Sequence, residues 1–192
     1  MHYVKKTLDV KQLFAPEPVL IVGTYDEDGT PNAMNVAWGG QISQIHLALN
    51  IGTRHMTTEN LKARGAFTVA LADKAHLVQA DYVGIESGNS AADKIAKAGL
   101  TPVKAETVDA PYFDEFPLSM ECKLVSMEEE VGGEVRVIGE VTRVVAEELA
   151  IGEDGKFDLD KAQIISFDMT HNAYRVIGEK VGNAFSDGAA LK

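Results

Sequence analysis

Two long β-prone runs joined by a glycine pair constrain this chain most. PLSMECKLVSMEEE (117–130) and GEVRVIGEVTRVVAEEL (133–149) are rich in β-branched residues and meet at Gly132-Gly133. A glycine pair accepts positive φ cheaply, so the spacing predicts a long antiparallel hairpin. A second hairpin is read earlier. PEPVLIVGTY (16–25) is apolar and opened by prolines, Asp28-Gly29 is a strong turn, and NAMNVAWGG alternates after it. The alternation places Met34, Val36 and Trp38 on one face and the small or polar Asn35, Ala37 and Gly39 on the other. ISQIHLALNI repeats the pattern, with Ile45, Leu47, Leu49 and Ile51 opposite Gln44, His46, Ala48 and Asn50, and Gly52 ends it. A short helix to about Gly65, a strand AFTVALA (66–72) and two short helices around a Gly/Ser loop in 74–99 follow. About six hairpin-joined strands with short helical inserts predict a mostly β (α+β) chain, an antiparallel barrel with helices attached. No GxGxxG or Walker loop follows the first strand, so a dinucleotide-binding or P-loop fold has no support.

Composition narrows the function. The 192 residues suit one domain over 1–192 with N- and C-terminal extensions. Eighteen basic against 29 acidic side chains give a net charge of −11, which argues against an extended nucleic-acid or anionic-membrane surface. Cys122 is the single cysteine; it excludes an intrachain disulfide, fits a cytoplasmic setting and reads as a small core residue. MHYVKKTLDVKQLF (1–14) lacks the apolar run of a signal peptide, and no segment approaches the roughly 20 apolar residues of a membrane span. The five histidines show no metal-ligand spacing; His46 and His76 read as structural, and His171 as a solvated or substrate-facing loop residue. DGKFDLD (154–160) lacks the glycine and terminal glutamate of a calcium loop.

The stretch TRHMTTENL (53–61) has a chemistry of its own. It places Thr53, Arg54 and Thr57 at the mouth of the first helix, where unpaired N–H groups and the helix dipole favour an anion. An arginine fork and threonine hydroxyls together satisfy a phosphate monoester. The competing reading is that Thr57 or Thr58 caps the helix and Arg54 pairs with one of the many carboxylates. The small face of Asn35, Ala37 and Gly39, beside Trp38, offers a flat floor for a planar ring, or simply permits close packing of another element. A ring plus a phosphate fits flavin mononucleotide (FMN) or pyridoxal phosphate, and composition and spacing do not choose between them. Lys94 in the Asp93-Lys94 pair either reaches a phosphate or substrate carboxylate, or forms a surface helix pair.

PVLIVGTYDEDGTPNAMNVAWGGQIS, TRHMTTENL and AFTV, followed by ADYVGIESGNSAADKIAKAGL, MECKLV, VIGEVTRV and YRVIGEKVGNAF, resemble in order the flavin reductase-like, FMN-binding split-barrel family, with flavoredoxin-type proteins its nearest branch. The resemblance implies a six-stranded split barrel and a homodimer with FMN near the interface. It carries the phosphate-gripping pattern onto Thr53, Arg54 and Thr57, with His55 and Thr58 within reach. It carries the ring-facing pattern onto Asn32, Met34, Ala37 and Trp38, with Asn35 between; Asn50 and Gly52 precede the phosphate turn. No catalytic acid or base and no metal are implied. One departure concerns the electron donor. Many NAD(P)H-using members carry a histidine where this chain has Glu134, and a carboxylate there repels an anionic dinucleotide. The expectation is therefore an FMN-dependent oxidoreductase that exchanges electrons with a redox partner protein in preference to reduced nicotinamide. A flavin-binding module without turnover and an NAD(P)H:flavin reductase are the alternatives. Pyridoxine-phosphate oxidation ranks last for want of further basic residues.

Overall fold

The computed structural model describes residues 3–11, 13–130 and 132–192. Met1, His2 and Gln12, part of the stretch read above for a leader, lie outside the described residues, as does Val131. In chain order the elements are β1 (Glu17–Pro18), β2 (Leu20–Tyr25), β3 (Pro31–Val36), β4 (Gly39–Gln41), β5 (His46–Gly52), α1 (Met56–Arg64), β6 (Ala66–Leu71), α2 (Leu77–Ile85), α3 (Lys94–Ala98), β7 (Pro102–Lys104), β8 (Pro111–Phe113), β9 (Leu118–Glu130), β10 (Glu134–Ala146), α4 (Leu159–Ala162), β11 (Ile165–Asp168) and β12 (Ala173–Val176).

Seven strands form one antiparallel sheet in the order β3-β2-β6-β9-β10-β5-β4. Its edge strands, β3 and β4, are joined by Ala37 and Trp38 alone. Three chain steps reach at most about 11 Å, whereas seven flat strands at about 4.8 Å spacing put their edges nearly 30 Å apart. The sheet therefore has to roll, and it rolls into a half-barrel whose two edges are not paired with each other. The expected antiparallel barrel is present, and the seventh strand arises because the run read as continuous through Gly40 breaks after Val36 and resumes as β4. The long β9–β10 hairpin forms as predicted, from Glu134 opposite Glu130 to Ala146 opposite Leu118.

Two cores lie on opposite sides of the sheet. Leu20, Val22, Leu47, Leu49, Ile51, Phe67, Val69, Val135 and Val137 fill the barrel. Ile21, Ala33, Ala70, Ala80, Val83, Ile95, Phe113 and Ile165 pack its outer face beneath α2 and α3. Strand β2 is buried on both faces, which explains its unbroken apolar run. This second core corrects the alternation read in β3. Asn35 donates its side-chain amide to the Ala80 carbonyl of α2 at 3.1 Å. The face expected to be a bare floor there lies under a helix, so the close-packing alternative holds for Asn35. Nor does Trp38 share a strand face with Met34 and Val36: it belongs to the β3–β4 link and is 44% exposed.

Cys122 is buried in the barrel core, where burial pushes its thiol up to about 12. Histidines 46, 76 and 171 are held locally, by Ser43, Asp73 and Asp168 respectively. Asp158 accepts from the Asp160 and Lys161 N–H groups at the start of α4, so the acids of 154–160 serve turns and a cap. Among the described residues no helix is long and apolar enough to cross a membrane.

Phe67, wholly buried, lies directly beneath Gly139 of β10; a Cβ at 139 would come 2.3 Å from Phe67 Cζ. Gly139 also marks a register shift in the β9–β10 ladder. Gly139→Ala is expected to destabilise the fold by about 1–3 kcal/mol, the usual scale of overpacking. Urea unfolding of the variant beside the wild type measures it, and an unchanged midpoint contradicts the packing described.

Candidate functional site

The end of β5 turns into α1 through Thr53, Arg54 and His55, and this turn forms one wall of a cavity of about 470 Å³. The other walls come from Asn32 and Met34 of β3, the C-terminal end of α2 with Ser87 and Gly88, Lys94 of α3, and Gly132, Gly133 and Glu134 of the long hairpin. A smaller cavity of about 210 Å³ adjoins it, lined by Met34 to Trp38, Asn50 to Gly52, His55 and Glu134. Met34, Gly52, His55 and Glu134 line both, so the two form one elongated site.

The threonines do not cap α1. His55 is the N-cap residue, and no side chain bonds the free N–H groups there. Thr58 donates to the Gly52 carbonyl at 2.8 Å, and Thr57 accepts from the Asn32 amide at 3.2 Å. Both threonines are buried, and they brace the turn against β5 and β3. The Thr58 N–H donates to the His55 carbonyl at 2.9 Å, which leaves the Met56 and Thr57 N–H groups at the start of α1 for whatever enters the cavity. Arg54 is exposed and makes no ion pair among the described residues. The capping reading and the ion-pair reading of this stretch are both corrected.

Lys94 is only 4% exposed, and its Nζ donates to the Ala33 carbonyl at 2.6 Å. Burial pushes its ammonium down to about 8, against a smaller upward pull from Glu86. It is not a surface helix pair; Asp93 pairs instead with Lys97, one turn on. The cavity thus holds two cationic side chains, Arg54 and Lys94, and a helix N-terminus beside two acidic ones, Glu86 and Glu134, in a protein of net charge −11. Such an arrangement suits a phosphate-sized anion at the α1 end. The adjoining cavity, with Met34, Ala37 and Trp38 on its walls, suits an apolar ring.

The Ser87–Gly88 loop, expected as a break between two helices and part of the family-like segment ADYVGIESGNSAADKIAKAGL, lines the cavity. Asn89 donates to the Arg54 carbonyl at 3.2 Å, tying the loop to the α1 turn. A Cβ on Gly88 would fall 2.6 Å from both Asn32 Oδ1 and Met56 Sδ, so a larger residue here would have to displace those side-chain ends. The local signal was a Ser-Gly pair shortly before a lysine that proves to be buried. Of the ten residues singled out in the sequence, Thr53, Arg54 and Thr57 line the larger cavity, Asn35, Ala37, Trp38 and Asn50 the smaller, and Met34, Gly52 and His55 both.

A rolled antiparallel sheet whose rim carries two joined cavities at a strand-to-helix turn defines a split-barrel protein. Residues 13–157 match the family model of the flavin reductase like domain, and the chain belongs to that family. No curated protein matches it. Among solved structures, it is similar to flavoredoxin of Desulfovibrio vulgaris (Miyazaki F), with 38% identity, TM-score 0.91, and coverage of 96% of this chain and 100% of that one. Flavoredoxin from Methanosarcina acetivorans shares the fold at 24% identity and TM-score 0.90, covering 98% of this chain and 100% of that one. An FMN-binding protein from Thermus thermophilus does so at 16% identity and TM-score 0.77, covering 95% and 98%.

The depressed Lys94 ammonium sets a sign for stability. Between about pH 8 and the ordinary lysine value of 10.5, the folded chain has released this proton while the unfolded chain still binds it. Stability from this group therefore rises with pH in that window, by at most about 1.4 kcal/mol per pH unit. The difference in unfolding free energy between wild type and Lys94→Met is expected to change in that direction from pH 8 to 10. A pH-independent difference would mean that Lys94 titrates normally.

Proposed function

We propose that the protein binds FMN in the joined cavities and serves as a flavin-dependent oxidoreductase of flavoredoxin type, passing electrons to and from a partner protein. The observation that carries this reading is the junction itself. An uncapped helix N-terminus with Arg54 and Lys94 lies at one end, and a slot walled by Met34, Ala37 and Trp38 at the other. The membership of the flavin reductase like family and the likeness to two flavoredoxins support a flavin over pyridoxal phosphate, and the FMN-binding protein of the same fold supports the mononucleotide.

The residues present fit the group. Thr53, Arg54, His55 and the first-turn N–H groups of α1 hold the phosphate, with Lys94 behind it. Thr57 acts through Asn32 and the shape of the turn. Met34, Ala37 and Trp38 flank the ring. Asn50 and Gly52 shape the strand end that leads from ring to phosphate, and Asn35 holds β3 against α2 instead of reading the ring edge. The bound flavin supplies the redox chemistry; the protein orients it and sets its surroundings. No acid–base residue is required of the chain for this.

Glu134 favours a protein partner over a nicotinamide donor, because a carboxylate on the cavity wall opposes entry of a second polyanion. Trp38, Ile42 and Ile45 are exposed near the β4–β5 edge and support a homodimer that covers them. The lone buried thiol of Cys122 is compatible with a cytoplasmic protein.

The freshly purified protein is expected to be yellow, to bleach under a reductant, and to release FMN on heating. A colourless protein that does not take up added FMN overturns the reading. Arg54→Ala is expected to weaken FMN binding by about 1.5–3 kcal/mol, the scale of a charge-assisted hydrogen bond; fluorescence titration measures it, and unchanged affinity removes Arg54 from the site. Reduced ferredoxin is expected to reduce the bound flavin much faster than NADH or NADPH. Fast pyridine-nucleotide oxidation would make the protein a flavin reductase proper.

A further inference from the structure

Glu134 is the residue of the cavity that the sequence placed least well. It is the first residue of β10, with its backbone fixed on both sides, opposite Gly52 of β5 and Glu130 of β9. It is one of four residues that line both cavities, so it stands where the anion-binding end meets the ring-sized slot. One of its carboxylate oxygens, Oε2, is covered and has no hydrogen-bond partner among the described residues. The neighbouring cation on the same strand, Arg136, is engaged by Glu130 at 2.7 Å. Arg54 lines the same cavity, yet the two do not pair with each other.

Among the described residues the cavity therefore contains a cation without an ion pair and an acceptor without a donor. A simple anion would satisfy the first and aggravate the second. A bare planar ring would satisfy neither. A ligand that carries an anion at one end and hydroxyl donors along its middle satisfies both at once.

We propose that Glu134 is a ligand-binding residue that accepts hydrogen bonds from the hydroxyl-bearing linker between phosphate and ring, so that the junction of the two cavities selects a polyol-linked ligand. The inference rests on the flavin reading and deepens it, since the linker of FMN is such a polyol. It gives Glu134 a positive role in holding the ligand beyond excluding a second anion. Its position on a strand paired on both sides holds the acceptor in place before the ligand arrives, so little ordering cost falls on binding.

The test titrates wild type, Glu134→Gln and Glu134→Ala with FMN, riboflavin and lumiflavin, the last having the ring without the polyol, by flavin fluorescence. Glu134→Ala is expected to weaken FMN and riboflavin about tenfold, the scale of a hydrogen bond to a charged group, and to leave lumiflavin unchanged. Glu134→Gln keeps an acceptor oxygen and is expected to fall between wild type and the alanine variant. Equal losses for lumiflavin, unchanged FMN affinity in the alanine variant, or tighter FMN binding in the glutamine variant would each overturn the inference while leaving the flavin reading intact. Failure of the wild-type protein to bind any of the three flavins would end both.

Discussion

The two-residue link between β3 and β4 is the constraint from which the rest of the structure follows. Those strands are the outermost of seven, and Ala37 with Trp38 has to carry the chain from one edge to the other. A sheet of ordinary twist already tends to coil, and the short link compels it to roll until its edges approach. Rolling gives the sheet an inside that aliphatic side chains fill and an outside that α2 and α3 cover. It also brings the end of β5, the start of β10 and the inner positions of β3 to one rim, where the cavities open. Trp38 is exposed because it belongs to the link and not to a strand.

The site is close to charge-balanced in a protein of net charge −11, with Arg54 and Lys94 set against Glu86 and Glu134 on its walls. Against a net charge of −11, Arg54 stands without an acidic partner among the described residues, and Lys94 is buried with only the Ala33 carbonyl and the field of Glu86 for compensation. Burying an ammonium this way costs stability, which its lowered value of about 8 expresses. Ionisable groups perturbed in this way cluster at functional sites. Glu134 is the counterpart of opposite sign on the same wall. Cations at one end and an unpaired acceptor at the waist describe a ligand that is anionic at its tail and a hydrogen-bond donor at its middle.

Much of this was legible along the chain. The β9–β10 hairpin announced itself through a glycine pair between two β-branched runs, and the β2–β3 hairpin through Asp28-Gly29, because turn chemistry and alternation are local properties. Arg54 stood out for the same reason, as a cation directly ahead of a helix. The alternation of β3 misled. It correctly separated Asn35 from Met34, but residue size alone cannot say whether a small face awaits a ligand or a helix, and here α2 takes it. Thr57 and Thr58 looked like caps, since hydroxyls ahead of a helix usually are; instead Asn32 and the Gly52 carbonyl engage them from the barrel side.

The sequence by itself determined the β2–β3 and β9–β10 hairpins, the acidic character of the chain and the one turn where an anion could be gripped, because each depends on residues close together along the chain. Only the tertiary structure decided that Lys94 is buried behind that turn, that Gly88 lines the same cavity and that Glu134 stands between the two cavities. These residues come from α3, the loop after α2 and the far hairpin, and nothing in their spacing encodes the distances between them. The rolling of the sheet sets those distances, and with them the partners each charge has or lacks.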